Sequence, residues 1–274
     1  MNSALQVKYH ALVSLVGSYG KAAVAFSGGV DSTFLAKVVR DVLDTRAVAI
    51  TVDSEAYPPD TIRETRALAD LIGTRLIEIP VRACDIPEFS ANEPERCYHC
   101  KKTLFSLMSA KADAEDIHIL IDGSNMDDLG DYRPGMRALS ELGIKSPLKE
   151  CGFTKAEIRI VSKELGLPTW NRQSFACLAS RFPYGTRITP ELLERTWKAE
   201  AVLHDMGMSR YRVRNHGDLA RIEIDADDTN ILLSSEDNRK KVTTRLKELG
   251  FTYITLDLQG YRTGSMNEPL PKEG

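Results

Sequence analysis

Ser27-Gly28-Gly29-Val30-Asp31-Ser32 follows an apolar run at residues 22–26 and leads into a stretch where Phe34, Leu35, Val38, Val39, Val42 and Leu43 recur at helical spacing. This order predicts a strand, a glycine turn and the N-terminus of a helix. Such a junction aims unpaired backbone N–H groups and the positive end of a helix dipole at one point, where a phosphate or pyrophosphate sits well. Gly28 and Gly29 let the backbone approach an anion, Ser27 and Ser32 add hydroxyl donors, and Asp31 is placed to hold a magnesium ion. A plain capped turn draws on the same residue types. The full string in a strand-to-helix context is far more specific than two glycines.

The string lacks the lysine of G-x-x-x-x-G-K-[ST], so it is not a Walker loop. It resembles the PP-loop of ATP pyrophosphatases, which split ATP between the α and β phosphates and adenylate a substrate. The flanking pattern agrees. Residues 3–17 predict a helix, 46–52 a second strand ending at Asp53 and Ser54, 59–71 a helix, and 75–79 a third strand. A fourth, at 117–121, ends in Asp122-Gly123-Ser124-Asn125, followed by Asp127, Asp128, Asp131, Tyr132 and Arg133. Strands alternating with helices predict an α/β fold with a doubly wound parallel sheet. Ligands bind such sheets at the carboxyl ends of the strands. The ATP-binding set is therefore Ser27, Gly28, Gly29, Asp31 and Ser32 with Asp53, Ser54, Gly123, Asn125 and Asp128. An ordinary strand end at Asp53 and a solvated Asx turn at Asn125 are the competing readings.

A proline-rich stretch at 80–94 delivers Cys97-Tyr98-His99-Cys100, and a helix resumes over 101–112. Thr154-Lys155-Ala156-Glu157 has the capping-box pattern, with Gly166 and Pro168 ending that helix. The aperiodic string SFACLASRFPYG at 174–185 carries Cys177, Ser180 and Arg181 and reads as a loop crossing the mouth of the site. Beyond 186 the pattern becomes αββαβ, with helices at 190–206 and 236–249 and strands at 211–215, 219–224 and 253–258; the tail after Gly264 reads as loose. The division expected is a PP-loop domain at 1–185 and a smaller α+β domain at 186–274 for substrate binding and oligomerisation.

A net charge of −3 over 274 residues argues against a general nucleic-acid binder. No apolar run approaches the ~20 residues of a membrane span, and the first twenty residues have no signal-peptide core. Five cysteines without a secretion signal do not make a disulfide framework. A cytoplasmic enzyme with thiol or metal chemistry fits. Cys97 and Cys100 form a C-x-x-C, with Cys177 far off in sequence. A redox dithiol usually follows a strand in a thioredoxin-like unit, which is not the pattern here. A zinc site needs two more ligands, and His99 is wedged between the cysteines. A 4Fe–4S cluster on three thiolates leaves one iron open for chemistry. Cys84 and Cys151 carry no motif and read as buried structural thiols.

SGGVDS, DGSNMDD, SPLKECGFTKAEIR and CLASRFPYG together resemble the LarE family of ATP-dependent sulfur transferases, as do DYRPG, RVRNHGDLARIE and TLDLQGYRTGSMN. The resemblance spans essentially the whole chain. It implies adenylation of the carboxylates of pyridinium-3,5-biscarboxylic acid mononucleotide and replacement of AMP by sulfur. The product is the precursor of the nickel-pincer nucleotide of lactate racemase. It also implies ATP and Mg2+ as cofactors, a homo-oligomer of hexamer type, and catalytic roles for Asp31, Cys177, Ser180 and Arg181, the last two facing the reacting centre. Arg212 and Arg214 would grip the substrate phosphate; exposed cross-strand ion pairs are the alternative. Glu200 and Glu223 match acidic positions used at subunit contacts or for metal, against solvated surface carboxylates. In one branch of the family a single cysteine surrenders its sulfur; its place is taken here by Ala176, one residue before Cys177. Cys97, Cys100 and Cys177 resemble the other branch, in which a 4Fe–4S cluster on three cysteines delivers sulfide. A PP-loop tRNA thiolase and sacrificial transfer from Cys177 stand as alternatives. An amidating synthetase would need a glutaminase partner and has no use for three placed cysteines. A non-catalytic nucleotide or iron–sulfur sensor would show no ATP–pyrophosphate exchange.

Overall fold

The computed structural model describes residues 1–130, 134–173, 176–262 and 264–268. Asp131, Tyr132, Arg133 and Ser174 lie outside the described residues. In chain order the helices and strands are α1 (Ser3–Ser18), β1 (Ala22–Ala25), α2 (Val30–Leu43), β2 (Ala47–Asp53), α3 (Asp60–Ile72), β3 (Arg75–Pro80), α4 (Pro87–Ala91), α5 (Arg96–Asp113), β4 (Leu120–Ile121), α6 (Pro134–Glu141), α7 (Pro147–Glu150), α8 (Lys155–Glu164), α9 (Pro190–Asp205), β5 (Tyr211–His216), β6 (Leu219–Ile224), α10 (Ala226–Leu233), α11 (Glu236–Glu248) and β7 (Tyr253–Leu256). They divide into two compact units. The first holds Met1–Ser54, Pro59–Arg82 and Cys97–Phe175; the second holds Glu55–Pro58, Ala83–Arg96 and Ala176–Gly274.

Unit one is an α/β layer structure on a parallel four-stranded sheet ordered β3-β2-β1-β4. Side chains alternate faces along a strand, and here both faces are buried. Ala22, Val24, Ala47 and Ala49 join the core of α1, α2 and α8, while Ala23, Val48 and Ile50 join Met108 and Ala112 of α5 on the other side. The sheet is thus doubly wound. Small alanines on β1 let α2 lie close. Phe34, Leu35, Val38 and Val39 on that helix are fully buried, each a gain of about 1.5–3 kcal/mol over exposure. The C-x-x-C helix begins at Arg96, not at 101. Cys97 and Cys100 therefore sit in its first turn, three residues apart on one helical face. The fourth strand is only Leu120–Ile121, extended by a bridge from Ile121 to Lys145.

Unit two carries a three-stranded sheet, β5-β6-β7, antiparallel then parallel. Leu203, Val213, Ile222, Ile224, Val242, Leu246 and Phe251 form a core of its own. The order is αββααβ, because α10 intervenes before α11. Its run ADDTNILL sets four polar residues, Asp227 to Asn230, after Ala226, which hides the helix from a periodicity reading. The segment after Gly264 is not loose where described: Ser265 and Met266 are buried in a short turn, and Ser265 Oγ donates to Glu223 at 2.7 Å.

Candidate active site

The glycine turn joins β1 to α2 as expected. Gly28 holds φ +70°, a left-handed conformation that favours glycine, and a Cβ there would lie 3.0 Å from Thr65 Oγ1. Ser27 Oγ and Ser32 Oγ face each other at 3.1 Å, and Gly29 N–H lies 3.5 Å from Ser27 Oγ. Gly29 is the N-cap of α2 and, lacking a side chain, makes no side-chain cap hydrogen bond, which leaves the first N–H groups of the helix open to a ligand or solvent. The strand-four loop reaches this point through Gly123, whose Cβ would meet Ser32 N at 3.0 Å and Asp31 C at 3.2 Å. Only a glycine lets the two backbones touch so closely.

Asp31 is the chemical centre of the turn. One carboxylate oxygen, Oδ2, is ion-paired to Lys155. The other, Oδ1, is buried and has no hydrogen-bond partner among the described residues. Burial pushes this carboxyl above its ordinary value, Lys155 pulls it down, and the nearby Asp128 adds to the rise. A buried acceptor without a donor is costly unless something supplies positive charge. The oxygen set, beside an open helix N-terminus, fits a magnesium ion and the phosphates it would neutralise.

Two cations of the site were not singled out from sequence. Lys155 is the first residue of α8, and the Thr154–Glu157 capping box that starts this helix is fully formed. The box thus fixes where Lys155 leaves the backbone. Arg172 donates from Nη1 to the carbonyl of Gly28 at 3.3 Å and is ion-paired through Nη2 to Glu64. The four-residue pattern T-x-x-E pointed to the first of these; nothing local marks the second.

Other expected ATP ligands are placed as follows. Asp53 is exposed, and its carbonyl accepts Val81 N–H at 2.9 Å; Ser54 is half-buried. In the strand-four loop Asn125 Oδ1 accepts Asp127 N–H, and Asp128 Oδ2 accepts Asn125 N–H at 2.9 Å. Asp127 in turn accepts Lys155 N–H at 2.7 Å. The Asx turn is therefore present, and it docks the start of α8.

In unit two Arg181 is fully buried. Its Nε and Nη2 fork onto Glu200 at 2.8 and 2.9 Å, while Nη1 donates to the carbonyls of Ala176 and Cys177 and to Ser180 Oγ. These bonds direct the guanidinium inward onto the Cys177 turn. Arg214 repeats the arrangement: Nη1 holds the Ser180 carbonyl at 3.0 Å and Nη2 is ion-paired to Glu223 at 2.6 Å. Arg96, buried in the same unit, donates to the Ala179 carbonyl at 3.1 Å. Glu200 and Glu223 are thus buried anchors and not solvated carboxylates. Arg212 and Arg214 likewise are not exposed pairs; both are under a tenth exposed. Burial and the charge of Arg181 hold the Arg212 guanidinium below its usual value. Arg181 is paired with Glu200, Arg214 with Glu223, and Arg221 with both Glu223 and Asp257.

No disulfide joins the cysteines. Cys97 and Cys100 belong to unit one and Cys177 to unit two, and among the described residues no three His, Cys, Asp or Glu side chains are gathered as a metal site. Burial pushes the Cys84 thiol up to about 12, with the Glu55 carboxylate adding to it, and raises Cys151 as well. Both suit inert structural thiols. Among the described residues no helix is long and apolar enough to cross a membrane.

A family model described as NAD synthase matches residues 8–103, the stretch that holds the glycine turn. An uncharacterised protein of Synechocystis is 41% identical over 268 residues, 98% of this chain and 100% of its own. An uncharacterised protein of Methanocaldococcus jannaschii is 30% identical over 243 residues, 89% of this chain and 91% of its own. The pyridinium-3,5-bisthiocarboxylic acid mononucleotide synthase of Lactiplantibacillus plantarum is 35% identical over 269 residues, covering 98% of this chain and 96% of the synthase. With that identity along nearly all of both sequences, the chain belongs to the PP-loop family of this synthase, the LarE family.

Proposed function

We propose that this protein is an ATP-dependent, AMP- and pyrophosphate-forming sulfur transferase acting on the carboxylates of pyridinium-3,5-biscarboxylic acid mononucleotide. The observation that carries the activating half is Asp31, with one oxygen on Lys155 and the other buried without a hydrogen-bond partner among the described residues, at the N-terminus of α2. A substrate carboxylate oxygen attacks the α-phosphorus of ATP, the bond to the β-phosphate oxygen breaks, and pyrophosphate leaves. The N–H groups at Gly29 and the start of α2, with Ser27, Ser32 and Lys155, bind the departing pyrophosphate and stabilise its charge. Magnesium at Asp31 would supply further neutralisation when bound. The acyl-adenylate then exchanges AMP for sulfur, forming a C–S bond as the C–O bond breaks. Arg212 and Arg214, both buried and two residues apart on one face of β5, support a grip on the substrate phosphate.

For the sulfur, Cys97, Cys100 and Cys177 are the thiols proposed, held as ligands of a 4Fe–4S cluster whose open iron would carry sulfide. The i, i+3 pair on α5 supports this reading; the third ligand lies in the other unit and its convergence is a proposal. Sacrificial transfer from Cys177 is the competing source. The net charge of −3 disfavours a tRNA substrate. ATP–pyrophosphate exchange stimulated by the biscarboxylate tests the first half, and exchange indifferent to it refutes the substrate. Anaerobic reconstitution should give about four irons per chain, lost on Cys97→Ser. Iron-free protein that turns over once and leaves dehydroalanine at position 177 refutes the cluster.

A further inference from the structure

Arg172 lies in the short turn after α8, away from every motif used above, yet its guanidinium reaches the glycine turn. Three attachments hold it. Arg159 of α8 donates to the carbonyls of Trp170 and Arg172 at 2.8 and 2.7 Å, which fixes the backbone that carries the side chain. Glu64 of α3 takes Nη2. Nη1 is left pointing at the Gly28 carbonyl, 3.3 Å away.

The bond matters because of what lies on the other side of the same peptide. The Gly28–Gly29 peptide is trans, and in a trans peptide C=O and N–H point in opposite directions. Holding the Gly28 carbonyl on Arg172 therefore turns Gly29 N–H the other way, towards Ser27 Oγ and the mouth of α2. Two consecutive glycines give this peptide little intrinsic preference. Left alone it can rotate and present the carbonyl oxygen, an acceptor, where an anion needs a donor. A surface ion pair between Arg172 and Glu64 would by itself be worth little. Its use lies in aiming the second nitrogen.

We infer that Arg172 is a positioning residue of the PP-loop: by fixing the Gly28–Gly29 peptide plane it presents Gly29 N–H to the pyrophosphate part of the nucleotide. The inference rests on the nucleotide reading given above. It touches the phosphate end of the site and not the nucleoside, which gives it a selective signature.

The test measures binding of magnesium pyrophosphate and, separately, of adenosine to the full-length protein by calorimetry. Arg172→Gln should weaken pyrophosphate binding by about tenfold, the loss of one charge-assisted contact, and leave adenosine binding unchanged. Arg172→Lys, which keeps one charged donor, should recover part of the loss. Pyrophosphate affinity equal to wild type in Arg172→Gln overturns the inference, as does an equal loss for both ligands, the mark of a general structural defect. Wild-type protein that binds no pyrophosphate overturns the nucleotide reading and this inference with it.

Discussion

Glu200→Ala should be among the most damaging single changes in unit two, and its cost can be worked from the contacts. Glu200 and Arg181 are each under a twentieth exposed, so neither charge can turn to water when the other is removed. Deleting the carboxylate strips Arg181 Nε and Nη2 of their acceptors and leaves Val213 N–H, which donates to Glu200 Oε1 at 3.1 Å, unpaired as well. Breaking a buried pair by removing one partner costs about 3–5 kcal/mol. With a urea dependence of about 2 kcal/mol/M, 4 kcal/mol moves the unfolding midpoint down by about 2 M. The chain offers a local reporter for each unit: Trp197 lies on α9 and Trp170 in unit one. Trp197 fluorescence in a Trp170→Phe background should record the shift, while Trp170 fluorescence in a Trp197→Phe background should move little.

Arg181→Met combined with Glu200→Leu should be less destabilised than either single change, since no buried charge is stranded. A midpoint shift below about 0.5 M, the scale of a surface ion pair under about 1 kcal/mol, would refute the buried-anchor account of Glu200.

Two further outcomes follow from unit one. Asp31 has its carboxyl raised above the ordinary 3.8, so its contribution to stability is present below the unfolded value and is lost as pH rises through the folded one. Magnesium needs the ionised form, so affinity for Mg2+ and pyrophosphate should fall as pH is lowered towards the raised value. Asp31→Asn should abolish that pH dependence without lowering the melting temperature at pH 7 by more than a few degrees; unchanged metal affinity in the variant would remove Asp31 from the site. Thr154→Ala should cost about 1 kcal/mol and also weaken pyrophosphate binding, because the capping box sets the position of Lys155; calorimetric affinity and thermal melting check both.

The glycine turn and its flanks were legible because every signal needed is local: buried alanines, two glycines and a helical stripe within twenty residues. Lys155 was half legible, since the capping box names the helix start but not what the lysine meets. Arg172 was not legible, and Glu200 was legible as an acidic position of the family but not as the buried partner of Arg181. Each acts through a partner more than 15 positions away, Gly28 in one case and Arg181 in the other, and a charged residue in an amphipathic pattern is read as solvated unless its partner is known. The C-x-x-C helix began earlier than its sequence implied because Pro94, just upstream, was taken as the end of irregular chain when it lies two residues before the helix start.

Glu200 and Glu223 share one design that bears on how the second unit works. Each buried glutamate orients an arginine, and each arginine donates from Nη1 to carbonyls of the 176–181 turn, Arg181 to Ser180 Oγ as well. The turn that carries Cys177 is therefore held largely through its backbone, with Ser180 Oγ as a side-chain acceptor of Arg181. The Arg181 bond to residue 177 is made to its carbonyl and not to its thiol. Cys177→Ser and Cys177→Ala should consequently fold as the wild type does, with unfolding midpoints within about 0.5 M, a shift of about 1 kcal/mol or less, so loss of sulfur transfer in either can be read as chemistry. A Cys177→Ala midpoint falling as far as that of Glu200→Ala would mean that the thiol itself helps to hold the turn.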